Sequence, residues 1–337
     1  MSKPKKIALG GFVYHAFDRK EIKVSALILV LKSNIMMLRT IFLVYFLLLP
    51  AFCFAQDFIP LWPDGKMPNS KGLKLEHVEE RERITQVETP GLYTFFPSKE
   101  ENKGSAVIIC PPGGYQKLTY NIAGFQWAKW FNTMGVSAFV LIYRLPTSPD
   151  LIERQYGPLQ DAQRAMKIVR SNSEKWGIDK NKIGVMGASA GGHLAACLST
   201  IQKDFSKIGD SLDVMSFHPD FQILVSPVIN MGEFTHEGRR KALLGDQPAA
   251  NLIVEFSCEQ KVNTDTPPAF LVHADDDKTV PAMNSVLYYQ ALRKNKIPAS
   301  LHIFPHGGHS IALRNNPGST QQWTILCEAW LKETGFL

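Results

Sequence analysis

One stretch decides what this chain can fold into: residues 182–198 run from an apolar strand, through a glycine-flanked serine, into a helix. Ile183-Gly184-Val185-Met186 reads as a buried strand, Gly187-Ala188-Ser189-Ala190-Gly191 is a G-x-S-x-G turn, and Gly192-His193-Leu194-Ala195-Ala196-Cys197-Leu198 continues as helix. This is the pattern of a nucleophile elbow. The turn is so sharp that the serine backbone is strained, and the residues two before and two after it must be small where strand and helix cross. Glycine stands at both places. The pentapeptide alone is weak evidence, so the rest of the chain has to supply the matching parts.

The flanking rhythm supplies the first of them. Short apolar runs predict buried strands over residues 106–110, 137–143, 222–225, 268–273 and 301–304, and helical spacing predicts helices over 122–134, 161–171, 286–293 and 321–332. Upstream, 92–96 reads as a strand and 83–87 as an edge strand. Apolar runs alternating with amphipathic helices argue an α/β fold with a mainly parallel central sheet and helices on both faces. Ligands then bind at the carboxyl ends of the strands. Residues 231–266 break the rhythm, and the helix-like run 239–244 within them predicts a small lid or rim insertion beside the site. With no internal repeat or linker, residues 56–337 read as a single domain.

Residues 1–55 are a different kind of sequence. The apolar run 41–49 follows Arg39, and Ala51-Phe52-Cys53-Phe54-Ala55 ends on small residues. That predicts a signal peptide cleaved after Ala55, with translation starting at Met36 or Met37, and a secreted or periplasmic protein. The membrane is a partner only if this segment stays uncleaved; a membrane anchor is the rival reading. The formal charge of +6 resides wholly in this extension, which holds eight Lys or Arg and two Asp or Glu and leaves 29 of each sign behind. Nucleic acid is therefore excluded as a partner, because its footprint needs basic residues on the folded part. Cys110, Cys197, Cys258 and Cys327 lack the spacing of a disulfide framework and read as buried thiols. Oligomeric state is not legible.

A serine hydroxyl near neutral pH needs a base, an acid that orients the base, and donors for the developing oxyanion. In the α/β-hydrolase order Ser is followed by Asp or Glu and then His, each at a strand end. After strand 268–273 comes Ala274-Asp275-Asp276-Asp277-Lys278-Thr279-Val280-Pro281, and after strand 301–304 comes Pro305-His306-Gly307-Gly308-His309. Asp277 is the expected acid because it lies just before the Val-Pro that opens the next helix; Asp276 is the runner-up and Asp275 third. His309 is the expected base, carried by a glycine loop. His193, on the elbow helix, is expected to be a satisfied core residue, and His218, His236 and His273 default to structure or surface. The oxyanion donors are expected to be the N–H of Ala190, next after the serine, and one from the loop Cys110-Pro111-Pro112-Gly113-Gly114-Tyr115, whose glycines allow close approach to a bound carbonyl. A metal cluster of the three aspartates with His306 and His309 is the rival, disfavoured because no fixed ligand spacing is present. No cofactor and no metal are expected.

Taken together these residues resemble the α/β-hydrolases of the acetyl-xylan or feruloyl esterase-like branch, akin to hormone-sensitive-lipase-type esterases. The shared features are Leu61-Trp62-Pro63, the loop Pro111 to Tyr115, Tyr143-Arg144-Leu145-Pro146, Asp161-Ala162-Gln163-Arg164-Ala165, Gly187 to His193, and His273 to Pro281. Pro112 stands where the family usually has its first loop glycine, a position not expected to donate. The resemblance implies a triad of Ser189, Asp277 and His309, oxyanion donors Gly113, Gly114 and Ala190, and an acylated carbohydrate as substrate. The paired carboxylates of a glycosidase are not in evidence. The alternatives are a prolyl-oligopeptidase-like peptidase, for which the chain is too short to add a propeller, and a catalytically silent carbohydrate-binding relative.

Overall fold

The computed structural model describes residues 19–47, 57–309 and 311–337. The expected cleavage point after Ala55, and Cys53, lie outside the described residues. Two compact units partition the chain, Met1–Ala55 and Gln56–Leu337. In the first, the described part is a helix, α1 (Arg19–Leu47). Among the described residues no helix is long and apolar enough to cross a membrane.

The second unit is built on eight strands: β1 (Phe58–Pro60), β4 (Gly91–Phe95), β5 (Ala106–Cys110), β6 (Ser137–Ile142), β7 (Ile183–Ala188), β8 (Gln222–Val225), β9 (Ala269–Ala274) and β10 (Ala299–Phe304). Their order across the sheet is β1-β4-β6-β5-β7-β8-β9-β10. The six strands from β6 to β10 run parallel, and β4 runs antiparallel to both its neighbours. Strands β5 to β9 are buried along their whole length, which explains why they read as unbroken apolar runs.

Side-chain alternation divides that burial between two cores. Ala106, Ile108 and Cys110 face α3 (Gly157–Ser171), α4 (Ser189–Thr200) and α7 (Met283–Lys294), while Val107 and Ile109 face α2 (Gln126–Thr133) and α8 (Trp323–Glu333). The sheet is thus covered on both sides, as the periodicity predicts.

Three expectations shift. The edge strand foreseen over 83–87 is β3 (Arg83–Gln86), which pairs with β2 (Val78–Glu80) in a separate ribbon. Ile84 is its only buried side chain, so it has no apolar face to lay on the main sheet. The helix foreseen over 122–134 begins as a wider, irregular turn, Asn121–Phe125, and becomes regular only at Gln126. Gly124 lies so close to β6 that a Cβ there would sit 2.8 Å from Val140 Cγ1. Helix α3 starts four residues before the foreseen position, since Pro158 occupies its first turn, where proline is tolerated.

The 231–266 insertion contains α5 (Glu237–Leu244) and α6 (Ala250–Glu255). Its residues His236, Gly238 and Arg239 reach the cavity at the strand ends, as a rim element should.

Candidate active site

Ser189 is the first residue of α4 and holds φ at +53°, the left-handed backbone that the elbow imposes. A Cβ on Gly187 would lie 2.2 Å from Gly191 O, and one on Gly191 would lie 2.1 Å from Cys110 O. Both glycines are therefore fixed by contact, the first by the helix it crosses and the second by the end of β5. Because β5 lies next to β7, the loop leaving β5 faces the serine.

That loop is pinned from behind. Tyr143 Oη donates to Pro111 O at 2.8 Å, and Thr119 N and Oγ1 both donate to Pro112 O at 2.9 Å. Gly113 takes a φ of +149°, and a Cβ on it would sit 1.9 Å from Lys117 O. Gly113 and Gly114 line the same cavity as Ser189, and buried Ala190 follows Ser189 in the first turn of α4. None of the three N–H groups donates to another group among the described residues, which leaves them available to an oxyanion.

The acid and base arrive from the ends of β9 and β10. His309 Nε2 stands 2.8 Å from Ser189 Oγ, and its Nδ1 stands 2.7 Å from Asp277 Oδ2. A carboxylate can only accept, so Nδ1 carries the proton and Nε2 is free to take one from the serine. Asp277 Oδ1 accepts the N–H groups of Thr279 and Val280, both at 2.9 Å. Burial alone would raise its carboxyl, but hydrogen bonds from His273, His309 and the Val280 N–H overcome that and hold it far below the ordinary carboxylate range.

Of the runner-up acids, Asp276 instead accepts Gly308 N–H at 2.7 Å and stands 3.6 Å from exposed His306, while Asp275 is exposed. The rival metal cluster does not assemble. Among the described residues, the group close enough to share an ion is His193, Cys197 and Cys258. His193 already has partners on both nitrogens, Tyr115 Oη and Phe256 O at 2.8 Å each, and burial pushes the Cys258 thiol well up, away from the thiolate a metal needs. His193 is thus the satisfied core residue expected.

Sequence reasoning missed two contributors. His273, which the sequence leaves to structure or surface, is buried, with its Nε2 3.3 Å from Asp277 Oδ2 and 2.9 Å from Val280 O, and its Nδ1 accepts from Ser285 Oγ at 2.8 Å. Its position four residues before Asp277, at the end of the same strand, was the available signal. The second is Arg239 on α5, whose Nη2 lies 3.1 Å from His309 Nε2.

The cavity in front of Ser189 measures about 520 Å³. Its walls combine apolar Ile122, Ala123, Trp127, Val225 and Ile311 with Lys117, His236 and Arg239.

A strained serine on an elbow, hydrogen-bonded to a histidine that is oriented by a buried aspartate, at the carboxyl end of a mainly parallel sheet, defines an α/β-hydrolase of the esterase type. The chain belongs to the BD-FAE family, whose model matches residues 92–292. Among curated proteins it is 35% identical over 220 residues to an acetylxylan esterase of Xylanibacter ruminicola, covering 64% of this chain and 42% of that protein. It is 33% identical over 228 residues to endo-1,4-beta-xylanase B of Butyrivibrio fibrisolvens, covering 67% of this chain and 35% of that protein. The matches thus span well under half the length of either relative. Among solved structures, the acetyl ester-xyloside bifunctional hydrolase of Caldicellulosiruptor lactoaceticus superposes with a TM-score of 0.72 at 37% identity, covering 84% of this chain and 97% of that one. Est2 of Thermogutta terrifontis, in its propionate-bound form, gives 0.62 at 25% identity, with 82% and 97% covered.

Proposed function

We propose that this protein is a secreted or periplasmic serine carboxylic-ester hydrolase that removes acetyl or feruloyl groups from plant-polysaccharide sugars such as xylan. The observation that carries the reading is the continuous hydrogen-bond chain from Asp277 through His309 to Ser189 at the wall of an open cavity. Ser189 Oγ attacks the ester carbonyl while His309 Nε2 takes its proton. The carbonyl oxygen becomes an oxyanion facing the N–H groups of Gly113, Gly114 and Ala190. Collapse breaks the bond to the sugar oxygen, which leaves with the proton from His309. Water then repeats the sequence on the acyl-enzyme, releasing the acid and restoring Ser189.

The carbohydrate part rests on the names of the acetylxylan esterase and acetyl ester-xyloside hydrolase relatives. Ester rather than glycosidic chemistry is favoured because no carboxylate is among the described residues lining the cavity, whereas glycosidases need two. Export rests on the apolar run 41–49 and the small residues ending at Ala55.

Acetate and ferulate release from acetylated xylan and feruloylated arabinoxylan, measured side by side, tests the reading. Ser189→Ala should lower kcat by about 10⁴ or more; undiminished turnover in that variant rejects the acyl-enzyme. N-terminal sequencing of the exported protein should begin at Gln56.

A further inference from the structure

Of the eight buried side-chain polar atoms that lack a partner among the described residues, four belong to cavity-lining residues: Ser226 Oγ, His236 Nδ1, and Nε and Nη1 of Arg239. Unpartnered buried polar groups are rare in folded proteins, and a group of them facing one cavity calls for a partner there. Arg239 stands out because two of the four atoms are its own and because it carries a permanent charge.

The one hydrogen bond of its side chain among the described residues is also a poor resting place. A neutral imidazole nitrogen offers a single lone pair. At His309 Nε2 that lone pair is claimed both by Ser189 Oγ–H at 2.8 Å and by Arg239 Nη2–H at 3.1 Å. When Nε2 takes the serine proton it becomes a cationic donor, and the guanidinium beside it then repels it. Arg239 therefore has to leave His309 for the reaction to proceed. The cavity walls suit an anionic partner: among the described lining residues Arg239 and Lys117 carry the charge and no Asp or Glu is present, the Asp277 carboxylate that also acts on Arg239 being outside the lining.

We propose that Arg239 is a specificity-determining residue that binds a carboxylate of the substrate through Nη2 paired with Nε or Nη1, taking Nη2 from His309, so that acylated sugars bearing a uronic acid are hydrolysed in preference to neutral ones. The sugar part of this inference rests on the esterase reading above; the charge preference does not. Planar guanidinium donors match a carboxylate pairwise, and the ion pair releases His309 to serve Ser189 alone.

Two substrate pairs separate these claims. The first is 4-acetoxybenzoate against its neutral isostere 4-acetoxybenzamide. The second is acetylated xylo-oligosaccharide with a uronic-acid branch against the same oligosaccharide with that acid as its methyl ester. The readout is the ratio of kcat/KM, anionic over neutral, within each pair. In the wild-type protein it should be about tenfold or more, the size of a charge-assisted hydrogen bond. Arg239→Gln should bring the ratio to about one, Arg239→Lys should retain part of it, and Arg239→Glu should invert it. A ratio near one in the wild-type protein, or an equal fall for both members of each pair in Arg239→Gln, overturns the proposal. A preference confined to the benzoate pair upholds the charge selectivity of Arg239 and overturns the uronic-acid sugar as its substrate, while failure to release acetate from either oligosaccharide overturns the carbohydrate reading instead.

Discussion

At the scale of single residues, the site depends on a carboxylate kept ionised in a buried setting. Asp277 is 5% exposed, yet it receives two backbone N–H groups and lies against two histidines. Its folded-state pKa is depressed, so the stability it contributes is fully present above the ordinary carboxyl value of 3.8 and is lost as pH falls below it. Asp277→Asn should therefore flatten the acid side of the stability profile, measured by denaturant melts at stepped pH. It should also lower kcat by about 10⁴, because the amide no longer fixes the proton on His309 Nδ1. Retained kcat in that variant would reassign the acid, with Asp276 the next residue to test. The choice of Asp277 was legible from its place before Val280-Pro281. His273 was less so: its place four residues before Asp277 is a signal, but a histidine inside an apolar strand does not tell which neighbour its ring will meet.

At the scale of elements, two local devices hold the loops where the chemistry needs them. One is the turn through Gly113. Gly113→Ala adds a Cβ that would meet Lys117 O at 1.9 Å and strains a φ of +149°, so the loop must move. Ester turnover should fall by about 10² or more, the size of an oxyanion donor's contribution, while far-ultraviolet circular dichroism keeps its native shape. The other device joins the first turn after β6 to α3. Arg144 pairs with Asp161 at 2.9 Å, and Trp62 Nε1 donates to the same carboxylate at 2.8 Å, all of it buried. This tie unites three of the sequence patterns, Leu61-Trp62-Pro63, Tyr143-Arg144-Leu145-Pro146 and the Asp161 run. Asp161→Asn leaves the Arg144 guanidinium buried without its counter-charge and should cost about 3–5 kcal/mol in a denaturant midpoint. A loss below about 1 kcal/mol, the range of surface pairs, would show that the charge is not what holds the tie.

At the scale of the whole molecule, legibility followed burial. Strands β5 to β9 are covered on both faces, so their sequences are nearly all apolar and announce themselves; the order Ser189, Asp277, His309 then follows from which strand ends the loops leave. The ribbon of β2 and β3 and the entry to α2 were harder, since they depend on contacts such as Ile84 to Leu118 and Gly124 to Val140, between residues separated in sequence. Arg239 was hardest of all: on a polar eight-residue helix it looks like any solvated arginine, and only the folded insertion brings it to His309. Every one of these contacts lies within Gln56–Leu337, as do the strands, both cores and the cavity lining found among the described residues. A protein starting at Gln56 should therefore fold by itself, with an unchanged thermal midpoint and with kcat/KM on short aryl esters within about twofold of the full chain, as expected of a domain with its own core. The same cut removes the formal charge excess, since the extension carries eight basic and two acidic residues, so its isoelectric point should drop from the value of about 8.9 of the full chain. A truncated protein that is unfolded, or folded but inactive, would mean that residues 1–55 take part in the fold or the site, and that the leader reading of them is wrong.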